Sequence, residues 1–163
     1  MTFDKILNLT PAQLEIINCK YPREMFRMPR QSGKTTALLL SALSAATNYP
    51  GSKTVYITPV PCSCRKCIID MLDDATYICG YTLIFENGST IDIMTPDDAM
   101  KPECAWDLIL LDDVELYAPM REKIFEILEW NAYPDGDIRG VGTFERLFNL
   151  TPDYEVTNVT PQW

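Results

Sequence analysis

The order of apolar and polar residues along the chain predicts strands and helices in alternation. Near-continuous apolar runs over residues 53–61 and 106–113 are typical of strands that are buried on both faces of a parallel sheet. In chain order, the predicted elements are a helix (11–19), a strand (23–29), a helix (34–49), a strand (53–61), a helix (64–75), two paired strands (81–85 and 89–95), a strand (106–113), a helix (118–133) and a strand (146–153). This alternation predicts an α/β fold with a mainly parallel central sheet.

Two local signals sharpen these boundaries. Thr10 is a good N-cap and Pro11 suits the first helical position, so the first helix is expected to begin there, with Leu14, Ile16 and Ile17 around one face. The pair Asn87-Gly88 joins two alternating runs, which is the strongest short signal for a β-hairpin. On the physics of its residues alone, this is an exposed hairpin added to the sheet.

Composition limits the classes of function. A chain of 163 residues with 47% hydrophobic residues is the size of one domain, which we take to be residues 1–163. There is no histidine, so Ser-His and Cys-His nucleophile pairs are excluded, and the net charge of −9 argues against tight DNA binding by a lone subunit. No apolar run is long enough to span a bilayer and no signal peptide is recognisable, so we expect an intracellular protein without a membrane partner.

Residues 28–35 carry most of a phosphate-binding loop. Gly33, Lys34 and Thr35 fit the end of the pattern G-x-x-x-x-G-K-[ST], whereas Met28 stands at the first glycine. A loop between a strand and a helix lets backbone N–H groups cradle the β-phosphate, a lysine reach the β- and γ-phosphates, and a threonine hydroxyl ligate Mg²⁺. The residues assigned to this ATP site are Arg30, Gln31, Ser32, Gly33, Lys34, Thr35 and Thr36.

Two carboxylates follow the buried strand that ends at Leu111. This is the Walker B arrangement, in which Asp112 holds magnesium and Asp113 positions the attacking water. A solvated turn after a core strand is the other interpretation of this pair. Together, loop and carboxylates predict a three-layer P-loop NTPase sandwich, with ATP and Mg²⁺ as its cofactors.

The loop sequence resembles the variant Walker A loop of large terminase subunits, the DNA-packaging ATPases of tailed bacteriophages and related viruses. Those loops also tend to lack the first glycine and to carry Arg-Gln inside the loop. The upstream Gln13, the strand ending at Pro59, the turn Asn87–Ser89, the Walker B strand and a last strand ending at Pro152 come in the same order as in terminase ATPase domains. The resemblance covers most of the chain and implies a motor ATPase of the host cytoplasm.

The resemblance implies roles for three further residues. Gln13 would contact the adenine, Arg30 would approach the γ-phosphate as an arginine supplied in cis, and Thr151 would sense the γ-phosphate. An ordinary exposed helix residue remains the alternative for Gln13, and a surface salt bridge the alternative for Arg30.

The sequence departs from the terminase pattern in two ways. The second Walker B acid is usually glutamate, and Asp113 is shorter by one methylene, about 1.5 Å, so hydrolysis is expected to be slow, with Glu115 a substitute only if the strand end turns sharply. Large terminases also continue into an RNase H-like nuclease, whereas this sequence ends at Trp163. We therefore expect no nuclease activity.

Two function hypotheses remain open at this point. The first is an ATP-hydrolysing motor that moves double-stranded DNA as part of a homo-oligomeric ring, with portal, small terminase or separate nuclease partners. The second is a regulatory or assembly subunit that binds nucleotide with little turnover and contacts protein. A small-molecule phosphotransferase is disfavoured because no arginine-rich lid segment is present. Arg121, Arg139 and Arg146 are candidates for a pore or for a neighbour's active site.

Four of the six cysteines are close enough in sequence to be considered as ligands of a zinc site. Cys62, Cys64, Cys67 and Cys79 suffice in number, but their spacing is not that of a common zinc ribbon, and cysteine in or near a helix is often a small core residue. We expect reduced thiols and well under one zinc per chain.

Overall fold

The computed structural model describes residues 9–19, 21–28, 33–72, 77–100, 105–113, 129, 132–142 and 155–158. Its helices are α1 (Pro11–Ile17), α2 (Lys34–Asn48), α3 (Pro61–Met71) and α4 (Pro96–Ala99). Its strands are β1 (Arg23–Arg27), β2 (Lys53–Ile57), β3 (Tyr77–Cys79), β4 (Thr82–Ile84), β5 (Thr90–Met94), β6 (Trp106–Leu111), β7 (Ala132–Gly142) and β8 (Glu155–Asn158). None of the helices in these ranges is long and apolar enough to cross a bilayer.

The described strands form one sheet in the order β3-β4-β5-β2-β6-β7-β1-β8. All pairs from β5 to β8 are parallel, and β3 and β4 are antiparallel additions at one end. Strand β7 lies between β1 and β6, so it separates the strand before the predicted phosphate loop from the strand before the predicted Walker B carboxylates. The predicted mainly parallel sheet is confirmed.

Alternate strand residues face two separate cores, as the period of two in a strand requires. Phe26, Tyr56 and Leu110 pack beneath α1, α2 and α3 on one face of the sheet. Val55 and Ile109 point to the other face, where Ala99 of α4 joins them. Helices on both faces of a sheet make the predicted three layers.

The first helix begins as predicted but presents a different face. The Thr10 hydroxyl accepts a hydrogen bond from the Gln13 N–H at 3.2 Å, and the Gln13 side chain accepts one from the Thr10 N–H at 3.0 Å, which is a capping box. The predicted apolar face is wrong at Leu14, which is 42% exposed. The buried positions of α1 are Ala12, Gln13 and Ile16.

Helix α3 begins earlier than predicted, because Pro61 occupies its first turn. Beyond it, residues 77–79 form a strand that the sequence interpretation missed. Cys79, which was expected in or near a helix as a small core residue, belongs to β3 and is exposed, so that expectation is wrong. The turn between β3 and β4 contains Gly80 at φ +61°, a conformation that glycine adopts without strain.

The hairpin of β4 and β5 is confirmed, but the expectation that it is merely exposed is wrong. Leu83 and Ile91 are buried in the helix-side core, and Ser89 is fully buried. The Ser89 hydroxyl donates to the Ala46 carbonyl at 2.6 Å, and the Asn87 amide donates to the same carbonyl at 2.7 Å. Because the last carbonyls of a helix have no partner within the helix, this turn caps the C-terminus of α2.

The double variant Asn87→Ala/Ser89→Ala is expected to lower the free energy of unfolding by about 1–3 kcal/mol, since it leaves the Ala46 carbonyl without its side-chain donors. Glu86→Ala is the matched control, because Glu86 is exposed in the same turn. Urea unfolding of the three proteins measures the difference. A double variant as stable as the control would contradict the capping role.

Strand β7 was missed because residues 134–137 read as a turn, Pro-Asp-Gly-Asp. The structure accommodates them at an irregularity, where Trp106 pairs with Ala132 but Leu108 pairs with Asp137. The predicted helix over 118–133 is wrong at Ala132, the first residue of β7. Residue 133 also belongs to β7 and residue 129 is helical, whereas residues 118–128, 130 and 131 and the predicted strand over 146–153 lie outside the described residues.

Candidate functional site

The C-terminal ends of β1, β2 and β6 meet at one edge of the sheet, because these strands are parallel to one another through β7. Ligands of open α/β sheets bind at this edge. Met28 follows β1 there, fully buried, and its N–H donates to the Gly142 carbonyl at 2.9 Å. Met28 is not among the residues with positive φ, so this position does not require the glycine of the common pattern.

Gly33 ends the predicted phosphate loop and is the N-cap of α2, at φ +78°. A Cβ atom at this position would lie 2.3 Å from the Gln13 Nε2 atom. The positive φ therefore favours glycine here, whereas the flexible end of the Gln13 side chain would have to shift to admit a Cβ atom.

Gln13 links α1 to this loop. Its Nε2 donates to the Gly33 carbonyl at 3.1 Å, while its Oε1 accepts from the Thr10 N–H. With only 9% of its surface exposed, Gln13 is not the ordinary exposed helix residue of the alternative interpretation. The predicted contact with adenine stays a prediction. The Gln13 amide has two N–H groups, and the bond to Gly33 uses one of them.

The start of α2 carries the three remaining loop residues that the structure describes. Lys34 is 8% exposed, and Thr35 and Thr36 follow it in the first turn. The other assigned residues of the site lie outside the described residues: Arg30, Gln31, Ser32 and Thr151.

Asp112 receives hydrogen bonds from three parts of the chain. The Thr35 hydroxyl donates to its Oδ2 at 3.0 Å, the Tyr56 hydroxyl donates to the same oxygen at 2.7 Å, and the Asp113 N–H donates to Oδ1 at 3.0 Å. Asp112 is 1% exposed, so the interpretation of a solvated turn is wrong for it. The two residues assigned to magnesium, Thr35 and Asp112, are thus in direct contact across 77 positions of sequence.

Burial raises the pKa of the Asp112 carboxyl, and the negative charge of Asp113 acts in the same direction. Hydrogen bonds from Tyr56, Thr35 and the Asp113 N–H lower that pKa in part. The three donors favour the charged form of the Asp112 carboxylate. Burial of that charge nevertheless lowers the stability of the folded protein, because the hydrogen bonds offset the cost of desolvation only in part.

Asp112→Asn is expected to raise the melting temperature of the nucleotide-free protein at pH 8, by about 3 °C. The folded-state pKa of Asp112 lies above the unfolded-state value, so the stability that this group contributes is present in acid and is lost as the pH rises through those two values. The variant does not titrate there. The difference in melting temperature between the variant and the parent should therefore shrink as the pH is lowered towards about 4. Thermal melts of both proteins from pH 8 to pH 4 measure this difference. A parent that melts above the variant at pH 8 would count against a costly buried charge.

Asp113 has φ +50°, the one positive value among the described residues other than glycine. Aspartate tolerates this left-handed conformation better than most residues. The chain therefore turns sharply after β6 at the residue that was assigned to water positioning. Glu115, the substitute considered from the sequence, lies outside the described residues.

Tyr56 is the residue of this site that the sequence interpretation did not assign. Its signal was a tyrosine within the apolar run of a buried strand, where a hydroxyl group must find a partner. Arg139, one of the candidates for a pore or a neighbour's site, is half-buried and donates to the Ile16 carbonyl at 3.4 Å, which connects β7 to α1. Arg121 and Arg146 lie outside the described residues.

The cysteines do not converge among the described residues. Cys64 is buried, and its Sγ donates to the Thr58 Oγ1 at 3.6 Å, whereas Cys62, Cys67 and Cys79 are exposed. Burial raises the pKa of the Cys64 thiol to about 11, so it is protonated at neutral pH. Across the described ranges no group of three or more cysteine or carboxylate side chains is placed to hold a metal ion. The low zinc content stays a prediction for metal analysis.

No protein-family model and no curated protein sequence matches the chain. Solved structures nevertheless share its fold, which is that of the P-loop NTPases. The UvsW helicase of bacteriophage T4 superposes with a TM-score of 0.65 at 14% identity, over 98% of this chain and 66% of the helicase.

Large terminases provide further structural neighbours. The large terminase ATPase domain of Thermus phage P74-26 superposes with a TM-score of 0.67 at 17% identity, over 93% of this chain and 80% of that domain. The large terminase of a thermophilic bacteriophage gives a TM-score of 0.70 at 9% identity, over 95% of this chain and 46% of that protein. Other structures of the latter terminase contain ADP or ATP-γ-S. The predicted resemblance to terminase ATPase domains is therefore confirmed at the level of the fold.

Proposed function

We propose that the protein is an ATP-hydrolysing motor subunit, with residues 1–163 as one ATPase domain, that couples hydrolysis to translocation of double-stranded DNA in a ring. The observation that carries this proposal is the contact between the Thr35 hydroxyl and the Asp112 carboxylate, 3.0 Å apart at the edge of the sheet where ligands bind. In P-loop NTPases, Mg²⁺ is held by a hydroxyl group of the phosphate loop and by a carboxylate at the end of another strand. Thr35 and Asp112 are groups of these two kinds.

The donor chemistry of the site fits Mg²⁺, which prefers oxygen ligands and few protein contacts. Thr35 and Asp112 would hold the ion, and its charge would offset the burial of the Asp112 carboxylate. When bound, magnesium neutralises charge on the β- and γ-phosphates. Lys34 binds those phosphates, and Asp113 orients the attacking water.

The remaining roles follow the terminase resemblance. In the proposed site, Gln13 holds the Gly33 end of the loop and contacts the adenine. Arg30 stabilises the charge that develops at the γ-phosphate, and Thr151 senses the loss of that phosphate. Gln31, Ser32 and Thr36 complete the phosphate cradle with their backbone or hydroxyl groups.

The net charge of the chain supports the assembly of several subunits into a ring. Duplex DNA is bound largely by clustered basic side chains, and a subunit with a net charge of −9 has few to offer. A homo-oligomer in the host cytoplasm, with portal, small terminase or nuclease partners, would gather basic residues from several subunits around one pore.

A nucleotide-binding regulatory or assembly subunit is the second candidate. The acidic composition favours it, because contact with protein does not need the basic surface that DNA does. Asp113, shorter than the glutamate usual in terminases, also suits slow turnover.

The ATPase rate per subunit, measured over a wide range of protein concentration with and without duplex DNA, separates the candidates. A motor subunit is expected to be weakly active when dilute and faster at high concentration, with a further rise on DNA. ATP binding with negligible turnover under all conditions would favour the regulatory subunit. A high rate per subunit that changes neither with protein concentration nor with DNA would indicate a self-sufficient monomeric enzyme.

A further inference from the structure

Tyr56 is a fully buried tyrosine whose hydroxyl has a polar partner at the proposed site. It is among the largest side chains of the core that are shielded from solvent, and it packs beneath the helices on the same face as Phe26 and Leu110. Phenylalanine would fill the same apolar space, so packing alone does not account for the hydroxyl. Its hydroxyl donates to Asp112 Oδ2 at 2.7 Å.

The register of the sheet sets this contact. Tyr56 pairs with Leu110 across β2 and β6, and Asp112 lies two residues beyond Leu110, on the same face of the sheet. The Asp112 N–H donates to the Ile57 carbonyl at 2.9 Å, which extends the pairing of the two strands past the end of β6. Both the tyrosine ring and the carboxylate are therefore fixed by the sheet.

Two hydroxyl groups from different elements of the fold donate to the same carboxylate oxygen. Thr35 belongs to the start of α2, next to the phosphate loop, and Tyr56 belongs to the core of the sheet. A hydroxyl has one hydrogen and two lone pairs, so Thr35 can bind a cation and still donate to Asp112. Tyr56 lies in β2 and packs in the core, outside the predicted loop, so the sheet and the core hold its hydroxyl beside the carboxylate.

We propose that Tyr56 is a positioning residue, whose hydroxyl fixes the Asp112 carboxylate in the orientation that binds Mg²⁺ with the nucleotide. This inference rests on the proposed function, since it assigns a support to the same magnesium site. Groups that orient the ligands of a metal typically change metal affinity or activity about 10- to 100-fold when they are removed.

Tyr56→Phe removes the hydroxyl and keeps the ring. Binding of Mn²⁺, as a probe for Mg²⁺, is measured by electron paramagnetic resonance in the presence of ADP, at a temperature at which both proteins are folded. We expect Mn²⁺ affinity to fall about 10- to 100-fold, while affinity for ADP without metal stays unchanged. In ATPase assays, the Mg²⁺ concentration for half-maximal rate should rise by a similar factor, and excess Mg²⁺ should restore kcat to the parental value.

Tyr49→Phe is the control, because Tyr49 is exposed at the other end of α2. A lower melting temperature for Tyr56→Phe together with parental Mn²⁺ affinity would make the hydroxyl a purely structural group and overturn the inference alone. A parent protein that binds no Mn²⁺ with ADP would overturn both the inference and the proposed function.

Discussion

Lys34→Ala is expected to abolish the thermal stabilisation of the protein by Mg-ATP. A ligand that binds only the folded state raises stability by mass action, by about 2.7 kcal/mol at a concentration 100 times its Kd. Lys34 is buried at the start of α2, directly after the predicted phosphate loop. Without its charge, the β- and γ-phosphates lose their direct cationic partner, so the melting temperature should no longer depend on ATP.

Lys53→Ala is the matched control, because Lys53 is exposed at the start of β2, at the opposite edge of the sheet. This variant should keep the full ATP-dependent shift in melting temperature, measured by differential scanning fluorimetry over a range of ATP concentrations. An unchanged shift in Lys34→Ala would remove the loop from the nucleotide site.

Asp113→Asn is expected to reduce kcat for ATP hydrolysis about 100-fold or more, the usual contribution of a group that handles the proton or position of the attacking water. Asparagine tolerates a positive φ as aspartate does, so the variant changes the charge without straining the backbone. Affinity for ATP should therefore remain. Steady-state hydrolysis and equilibrium binding of a non-hydrolysable ATP analogue measure the two quantities separately.

Two further variants test the assignment of Asp113 to water positioning. Asp70→Asn, at an exposed position of α3, should hydrolyse ATP as the parent does. Asp113→Glu restores the acid usual in terminases and should keep or raise turnover, although glutamate at φ +50° lowers stability by about 1–2 kcal/mol. Parental turnover in Asp113→Asn would make the assignment wrong and leave Glu115 as the candidate.

The parallel sheet and the pair Thr35 and Asp112 were predictable because both depend on local pattern. Continuous apolar runs mark strands buried on two faces, and a phosphate loop and a carboxylate after such strands must meet at one edge. Strand β7 was not predictable, because Pro-Asp-Gly-Asp favours a turn and only the pairing of its flanks with β6 makes it a strand.

Two contacts of the site also required the structure. The burial of Gln13 follows from the approach of α1 to Gly33, which no periodicity in a helix of 7 residues reveals. The hydrogen bond from Tyr56 depends on the register of β2 against β6, and a one-residue slip would turn the ring to the other core.

The capped end of α2 connects the hairpin mechanically to the predicted phosphate loop. Helix α2 has 15 residues, and at a rise of about 1.5 Å per residue it places the Ala46 carbonyl, which Asn87 and Ser89 hold, about 20 Å from Gly33. A helix behaves as a stiff rod over this length, so a tilt or an axial shift of α2 at the phosphates displaces the turn at residues 86–89 as well. In the proposed ring, a change of nucleotide would in this way reach the exposed residues 86–88, where a neighbouring subunit would sense it without touching the site.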